Sequence, residues 1–205
     1  MALFARAPAP GRVKTRLIGR LTPQQACDLH RSLVRDAWEL LDAWRERAEL
    51  FLYTDQENVE WRQLAGPALR LQSGGDLGER MLACFDQMRA AGFGPLLILG
   101  SDSPVPPIEA WLELLDQAPA GIGPADDGGY YAIGCRAPRA GMFEGVEWST
   151  PRTLEQTMAS LERCGMPVAL LPRHYDIDTP ESLTRLAAEP RLGEHTREWR
   201  RRHLS

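Results

Sequence analysis

Apolar residues along this chain alternate between two spacings. Short continuous runs at 2–6, 49–53, 69–72, 96–99, 120–123 and 167–171 predict buried strands. Between them the spacing becomes helical. Ala26, Leu29, Leu33, Ala37, Leu40, Leu41 and Trp44 form a stripe that follows Thr22-Pro23, an N-cap with proline at the first helical position, and they predict a helix to about residue 47. His30 lies beside that stripe and reads as structural. Leu77, Met81, Cys84, Phe85 and Met88 share a second helical face, and Ile108, Trp111, Leu112 and Leu115 a third. A weakly patterned helix is expected over 57–64, one after Pro151 to about 164, and a short one from Thr179.

Strands alternating with helices argue a three-layer α/β/α sandwich around a mostly parallel, Rossmann-like sheet. The hairpin-like Gly128-Gly-Tyr-Tyr131 adds one antiparallel strand. Residues 1–189 read as one domain, and 190–205, with Arg200, Arg201 and Arg202, as a polar extension.

The strand ends carry the candidate chemistry. In open α/β sheets ligands bind beyond the strands' carboxyl ends, and the run at 96–99 stops at Gly100-Ser-Asp-Ser-Pro104. Asp102 there suits a metal and its phosphates, or equally caps the helix that follows. Pro10-Gly-Arg-Val-Lys-Thr-Arg-Leu17 bends at Gly11 and then offers Lys14, Thr15 and Arg16; it is an anion-binding loop or a solvated basic turn. Gln72 can read a nucleobase edge, Ser73-Gly-Gly-Asp76 lets backbone approach a ligand, and Asp76 itself reads as a helix cap. Asp126 and Asp127 repel one another in a tight turn, a poor choice for a purely structural hairpin. Trp148 is a core residue or the wall of a sugar site. Asp176 and Asp178 fall on one face of an extended segment, with Asp178 at a strand-to-helix junction where a second metal ligand would be wanted.

Composition narrows the partners. The chain has 205 residues, 43% hydrophobic and 25% charged, an ordinary balance for a globular protein, and a net charge of −4 gives no reason to expect nucleic acid. No apolar stretch has the length to span a membrane, so no membrane partner is expected. Four dispersed cysteines fit free thiols in a reducing, cytoplasmic setting. Of 24 basic side chains one alone, Lys14, is a lysine, a compact point charge suited to phosphate.

Taken in order, Pro10-Gly-Arg-Val-Lys-Thr-Arg-Leu17, Asp76-Leu-Gly-Glu-Arg-Met81, Gly100-Ser-Asp-Ser-Pro104, Gly123-Pro-Ala-Asp-Asp-Gly-Gly-Tyr-Tyr131, Trp148-Ser-Thr150 and Asp176-Ile-Asp-Thr-Pro-Glu181 resemble the nucleotide-diphospho-sugar transferase (GT-A) fold. Within it they resemble bacterial glycosyltransferases of the arsenosugar-biosynthesis type, and more weakly uridylyl- and guanylyltransferases. The resemblance implies a metal-dependent transferase acting on a nucleotide-diphospho-sugar and a small-molecule acceptor. The nucleotidyltransferase alternative would use an NTP and a phosphorylated acceptor, and a non-catalytic sugar-nucleotide-binding protein is a third reading.

It further implies that Asp102 and Asp178 hold Mg²⁺ or Mn²⁺, and that Arg6, Gly11, Lys14, Thr15, Arg16, Gln72 and Gly78 bind the nucleotide. Asp127 and Lys14 would be catalytic, with Gly128, Gly129 and Trp148 around the sugar. Arg6 stands where many relatives carry lysine, and Ser101-Asp-Ser103 has one acid where many glycosyltransferases have two.

Overall fold

The computed structural model describes residues 1–104 and 106–204, apart from the side chain of Leu112, so the expected core position there lies outside the described residues. Seven strands form one mixed, mostly parallel sheet flanked by helices: β1 (Ala2–Ala5), β2 (Phe51–Thr54), β3 (Leu69–Leu71), β4 (Leu96–Gly100), β5 (Ala120–Pro124), β6 (Tyr130–Cys135) and β7 (Val168–Leu170), in the order β3-β2-β1-β4-β6-β5-β7. The expected antiparallel strand is β6, whose Ile133 stands opposite Ile98 of β4 and Ile122 of β5. β2 and β3 pair in parallel, as do β5 and β7.

By its contacts the chain divides into two compact units. The first takes Met1–Ala2, Gln72–Leu99 and Pro107–His174. Here α3 (Leu77–Ala90) and α4 (Ile108–Gln117) bury the faces their spacing predicts, with Phe85, Met88, Ile108 and Trp111 at or below 2% exposure, and α5 (Thr153–Arg163) buries Thr153, Thr157, Ser160 and Leu161. Asp76 caps α3 by accepting the Glu79 N–H at 2.8 Å, as read from the sequence.

The second unit takes Leu3–Leu71, Gly100–Pro106 and Tyr175–Ser205. Its α1 (Pro23–Asp42) starts with a reciprocal capping box between Thr22 and Gln25. It ends five residues earlier than the stripe suggests. Arg45, Glu46 and Arg47 are exposed and offer no apolar face, so the chain leaves α1 through tight turns, Trp44 N–H to Leu41 C=O at 2.9 Å and Arg47 N–H to Trp44 C=O at 2.8 Å. α2 (Val59–Ala65) is capped by Asn58, and α6 (Pro180–Ala188) by Thr179.

The expected polar extension is corrected by the structure. Residues from Glu194 form α7 (Glu194–His203), and Leu192 and Trp199 belong to the core cluster with Leu29, Leu33, Ile177 and Leu186. Three long-range hydrogen bonds make this possible. Asp36 of α1 accepts the His195 and Thr196 N–H groups at 3.0 and 2.8 Å, which starts α7, and Trp199 Nε1 donates to the Gln25 carbonyl at 3.1 Å. Among the described residues no helix is long and apolar enough to cross a membrane. All four cysteines are free, and burial pushes the Cys135 thiol up to about 12.

Candidate functional site

The second unit brings three of the candidate residues to one point. β1 is followed by Arg6, whose backbone carbonyl accepts from Trp61 Nε1 and from His30 Nε2, each at 2.9 Å. A carbonyl can only accept, so His30 carries its hydrogen on Nε2. The next residue, Ala7, donates its N–H to Asp55 Oδ1 at 2.7 Å at the end of β2. The chain thus leaves the sheet along a fixed path. It bends at Gly11 (φ 78°) and reaches Lys14 in the left-handed region (φ 50°, ψ 39°), a conformation costing a non-glycine residue about 1 kcal/mol or more.

That turn aims the Lys14 side chain inward, where it is 2% exposed. Nζ lies 2.5 Å from Asp102 Oδ1 and 2.9 Å from Asp178 Oδ1, while the two carboxylates keep 46% and 35% exposure. The segments bearing them are tied together directly: Ile177 N–H donates to the Asp102 carbonyl at 2.9 Å, and Ser103 Oγ donates to Asp176 Oδ1. Asp178 then immediately precedes the capping box that opens α6, Thr179 N–H to Ser182 Oγ at 3.1 Å. The alternative of Asp102 as a helix cap is set aside, because among the described residues no side chain caps α4.

Opposing effects set the charges. Burial alone would lower the Lys14 ammonium, but Asp102 and Asp178 together hold it above its ordinary value. Burial would likewise raise the Asp102 carboxyl; Lys14, then His30 and Arg6, hold it below the carboxylate range. His30, 3% exposed, is pushed down by burial against the pull of Asp102 and the Arg6 carbonyl. Two carboxylate oxygens aimed at one cationic point are also the donor set a hard divalent ion takes, with Nζ marking where such a charge is wanted. Asp102 and Asp178 therefore fit Mg²⁺ or Mn²⁺ chemically.

The remaining candidates are placed less closely. Arg6, Gly11, Thr15 and Arg16 are exposed on the loop around Lys14. In the first unit Gln72 is half-buried, with Arg80 Nη1 3.5 Å from its Oε1. Gly78 is buried in the first turn of α3, and a Cβ there would lie 2.6 Å from Trp148 Cζ2 and 2.9 Å from Phe143 Cβ. Trp148 therefore packs on bare backbone, edge-on to Phe143, and its buried Nε1 has no hydrogen-bond partner among the described residues.

Gly128 (φ 89°) also has a steric duty. A Cβ would fall 2.3 Å from the Pro151 carbonyl oxygen, and its own carbonyl accepts the Leu154 N–H at 2.9 Å, docking the turn onto the start of α5. Asp127 is exposed and accepts the Gly129 N–H at 2.8 Å through Oδ1.

Sequence reasoning passed over Asp55, Ser103 and the electrostatic part played by His30. Asp55 ends a strand run and Ser103 neighbours Asp102, but nothing local signals their long-range partners.

Residues 22–150 match a family described as an uncharacterised protein conserved in bacteria, DUF2064; the matched stretch includes Asp102, Asp127 and Trp148 and leaves out Lys14 and Asp178. No curated protein matches the chain. Among solved structures it is similar to a proposed nucleotide-diphospho-sugar transferase from Desulfovibrio desulfuricans G20, at 29% identity over 98% of this chain and 93% of that one, with a TM-score of 0.87. It is also similar to CMP:2-keto-3-deoxy-manno-octonic acid synthetase complexed with CTP, at 12% identity over 91% and 95% of the two chains, with a TM-score of 0.54; that likeness is one of fold alone.

Proposed function

The chain belongs to the DUF2064 family, and we propose that it is a metal-dependent transferase that moves a glycosyl group from a nucleotide-diphospho-sugar to a small-molecule acceptor. The observation that carries this reading is the meeting of Asp102, Asp178 and the chain's one lysine at a single point. The likeness to the Desulfovibrio protein across 98% of the chain supports it. The finer class, glycosyltransferases of the arsenosugar-biosynthesis type, is part of the proposal and rests on the motif resemblance.

In this reading Asp102 and Asp178 hold Mg²⁺ or Mn²⁺, ions that take one or two carboxylates together with substrate phosphates. When bound, the ion supplies Lewis-acid stabilisation of phosphate oxygens. Lys14 and Arg16, with Arg6, Thr15 and the backbone at Gly11, bind the diphosphate and neutralise the charge that grows on the departing nucleoside diphosphate. Gln72 reads the base, and Gly78 acts by seating Trp148. Asp127 orients or deprotonates the acceptor hydroxyl with the oxygen that Gly129 leaves free, while Gly128, Gly129 and Trp148 shape the sugar site.

A thermal-shift screen of nucleoside diphosphates, triphosphates and diphospho-sugars, with and without Mn²⁺, tests the binding half. A ligand at a hundred times its Kd adds about 2.7 kcal/mol, roughly 5–10 °C for a chain of this size. Release of nucleoside diphosphate from a diphospho-sugar then supports glycosyl transfer. Release of pyrophosphate from a triphosphate assigns nucleotidyl transfer instead, and binding without turnover assigns a sugar-nucleotide-binding protein. No shift under any metal condition refutes the reading.

A further inference from the structure

We propose that the Lys14 ammonium is a built-in stand-in for the divalent cation, keeping free metal out of the aspartate pair until a phosphate ligand draws the lysine away. The proposal rests on the transferase reading above. A Mg²⁺ ion ligated by both aspartates would stand about 2.0–2.1 Å from each oxygen, the space that Nζ now holds at 2.5 and 2.9 Å from the same two atoms. The two cations exclude each other.

Nor can the lysine step aside unaided. Its side chain is 2% exposed and its charge is balanced only where it lies, so moving it leaves a buried ammonium without a counter-charge. An incoming anion changes that balance. Thr15 and Arg16 follow Lys14 directly on an exposed loop, so a phosphate received there brings new acceptors within the lysine's reach. The left-handed backbone at Lys14 is a strained conformation of the kind that persists only while its surroundings hold it, and here the aspartates do so. Exchange of Nζ from carboxylate to phosphate frees both Oδ1 atoms as the phosphate arrives. By linkage, metal and phosphate ligand then raise each other's affinity by the same factor.

The test compares wild type, Lys14→Met and Lys14→Arg, each checked for folding by circular dichroism; Lys14→Gln serves the uncharged arm if Lys14→Met does not fold. Mn²⁺ binding without nucleotide is titrated by electron paramagnetic resonance. Melting temperatures are then measured with ADP, CDP, GDP and UDP, with and without Mn²⁺. We expect the uncharged variant to bind Mn²⁺ alone roughly tenfold or more tightly than wild type, and Lys14→Arg, which keeps a cation in place, to stay at the wild-type value. With a bound diphosphate the difference closes, wild-type affinity for Mn²⁺ rising roughly tenfold while the uncharged variant gains little.

Equal Mn²⁺ affinity in wild type and the uncharged variant overturns the inference, as does wild-type affinity that a bound diphosphate leaves unchanged. If diphosphate with Mn²⁺ raises the wild-type melting temperature while removing the lysine charge does nothing to metal-only binding, the transferase reading stands and this inference falls. If the uncharged variant gains a metal site but no diphosphate shifts either protein, the stand-in role stands and the nucleotide reading falls.

Discussion

Removing the Lys14 charge has a stability signature that the geometry sets in advance. Because Asp102 Oδ1 and Asp178 Oδ1 lie 2.5 and 2.9 Å from one atom, they are no more than 5.4 Å apart, the sum of the two contacts. Two unit charges at that separation repel by about 3 kcal/mol at an effective dielectric of 20 and by about 0.8 kcal/mol in water. The aspartates are 46% and 35% exposed, so solvent screens them, and Lys14→Met should cost about 1–2 kcal/mol at pH 7.

The pH dependence is the sharper test. Lys14 is held above 10.5, so its contribution is complete below that pH and is lost as pH rises through the raised value. Asp102 is held below 3.8, so its contribution is complete above that pH and is lost as pH falls through the lowered value. Wild type therefore keeps this stabilisation across the neutral range. In Lys14→Met the bare carboxylates repel, one takes up a proton more readily than an ordinary aspartate, and the deficit shrinks as pH falls below about 5. Urea denaturation at pH 7, 5 and 4 measures it; guanidinium, a salt, would screen the effect. A variant as stable as wild type at pH 7, or a deficit that is the same at every pH, refutes the reasoning.

Three further outcomes are expected elsewhere in the molecule. Trp199→Ala should cost about 3–4 kcal/mol by urea denaturation, since the indole is 4% exposed and hydrogen-bonded to Gln25; a loss below about 1 kcal/mol would mean that α7 is not docked. Gly78→Ala should lose about 1–3 kcal/mol, because its methyl meets Trp148 at 2.6 Å and Phe143 Cβ at 2.9 Å, and in a double-mutant cycle Trp148→Ala should relieve the indole's part of the penalty and leave the Phe143 part. His30, held below 6.5, should make stability fall as pH drops through 6.5, by up to about 1.4 kcal/mol per pH unit, since the unfolded imidazole takes a proton the folded one refuses; His30→Gln should flatten that part of the profile.

Where the fold follows local periodicity, it is legible in the sequence. The apolar run of β4 and the stripes of α1, α3 and α4 state which face is buried, and the GGYY segment marks the strand that pairs antiparallel with β4 and β5. The whole of α7 is not legible, because it depends on what lies across the structure. Glu-His-Thr-Arg-Glu-Trp-Arg-Arg-Arg-His reads as a solvated tail because its cap is Asp36, 160 positions away, and its one large apolar residue finds a core built by other segments.

The site divides the same way. Strand ends and a glycine turn mark Lys14, Asp102 and Asp178 as candidates, but each charge, read alone, is matched to an external partner. That they satisfy one another first depends on loop-to-loop distances that no spacing encodes. The positive-φ backbone at Lys14, which turns the lysine inward, has no signature in a non-glycine residue.

The hydrogen bond from Lys14 to Asp178 spans 164 positions, and it gives the site a clock. At a synthesis rate of about 5–20 residues per second, roughly 8–30 s separate the appearance of the lysine from that of its second aspartate. Over the later part of that interval Asp102 already has Lys14 but lacks the second carboxylate with which it would chelate. On the proposed reading, a chain lacking the Asp176–Glu181 turn should bind no metal at this site. Any nick that releases the segment after β7 should abolish the cation cage at once, whatever becomes of the sheet.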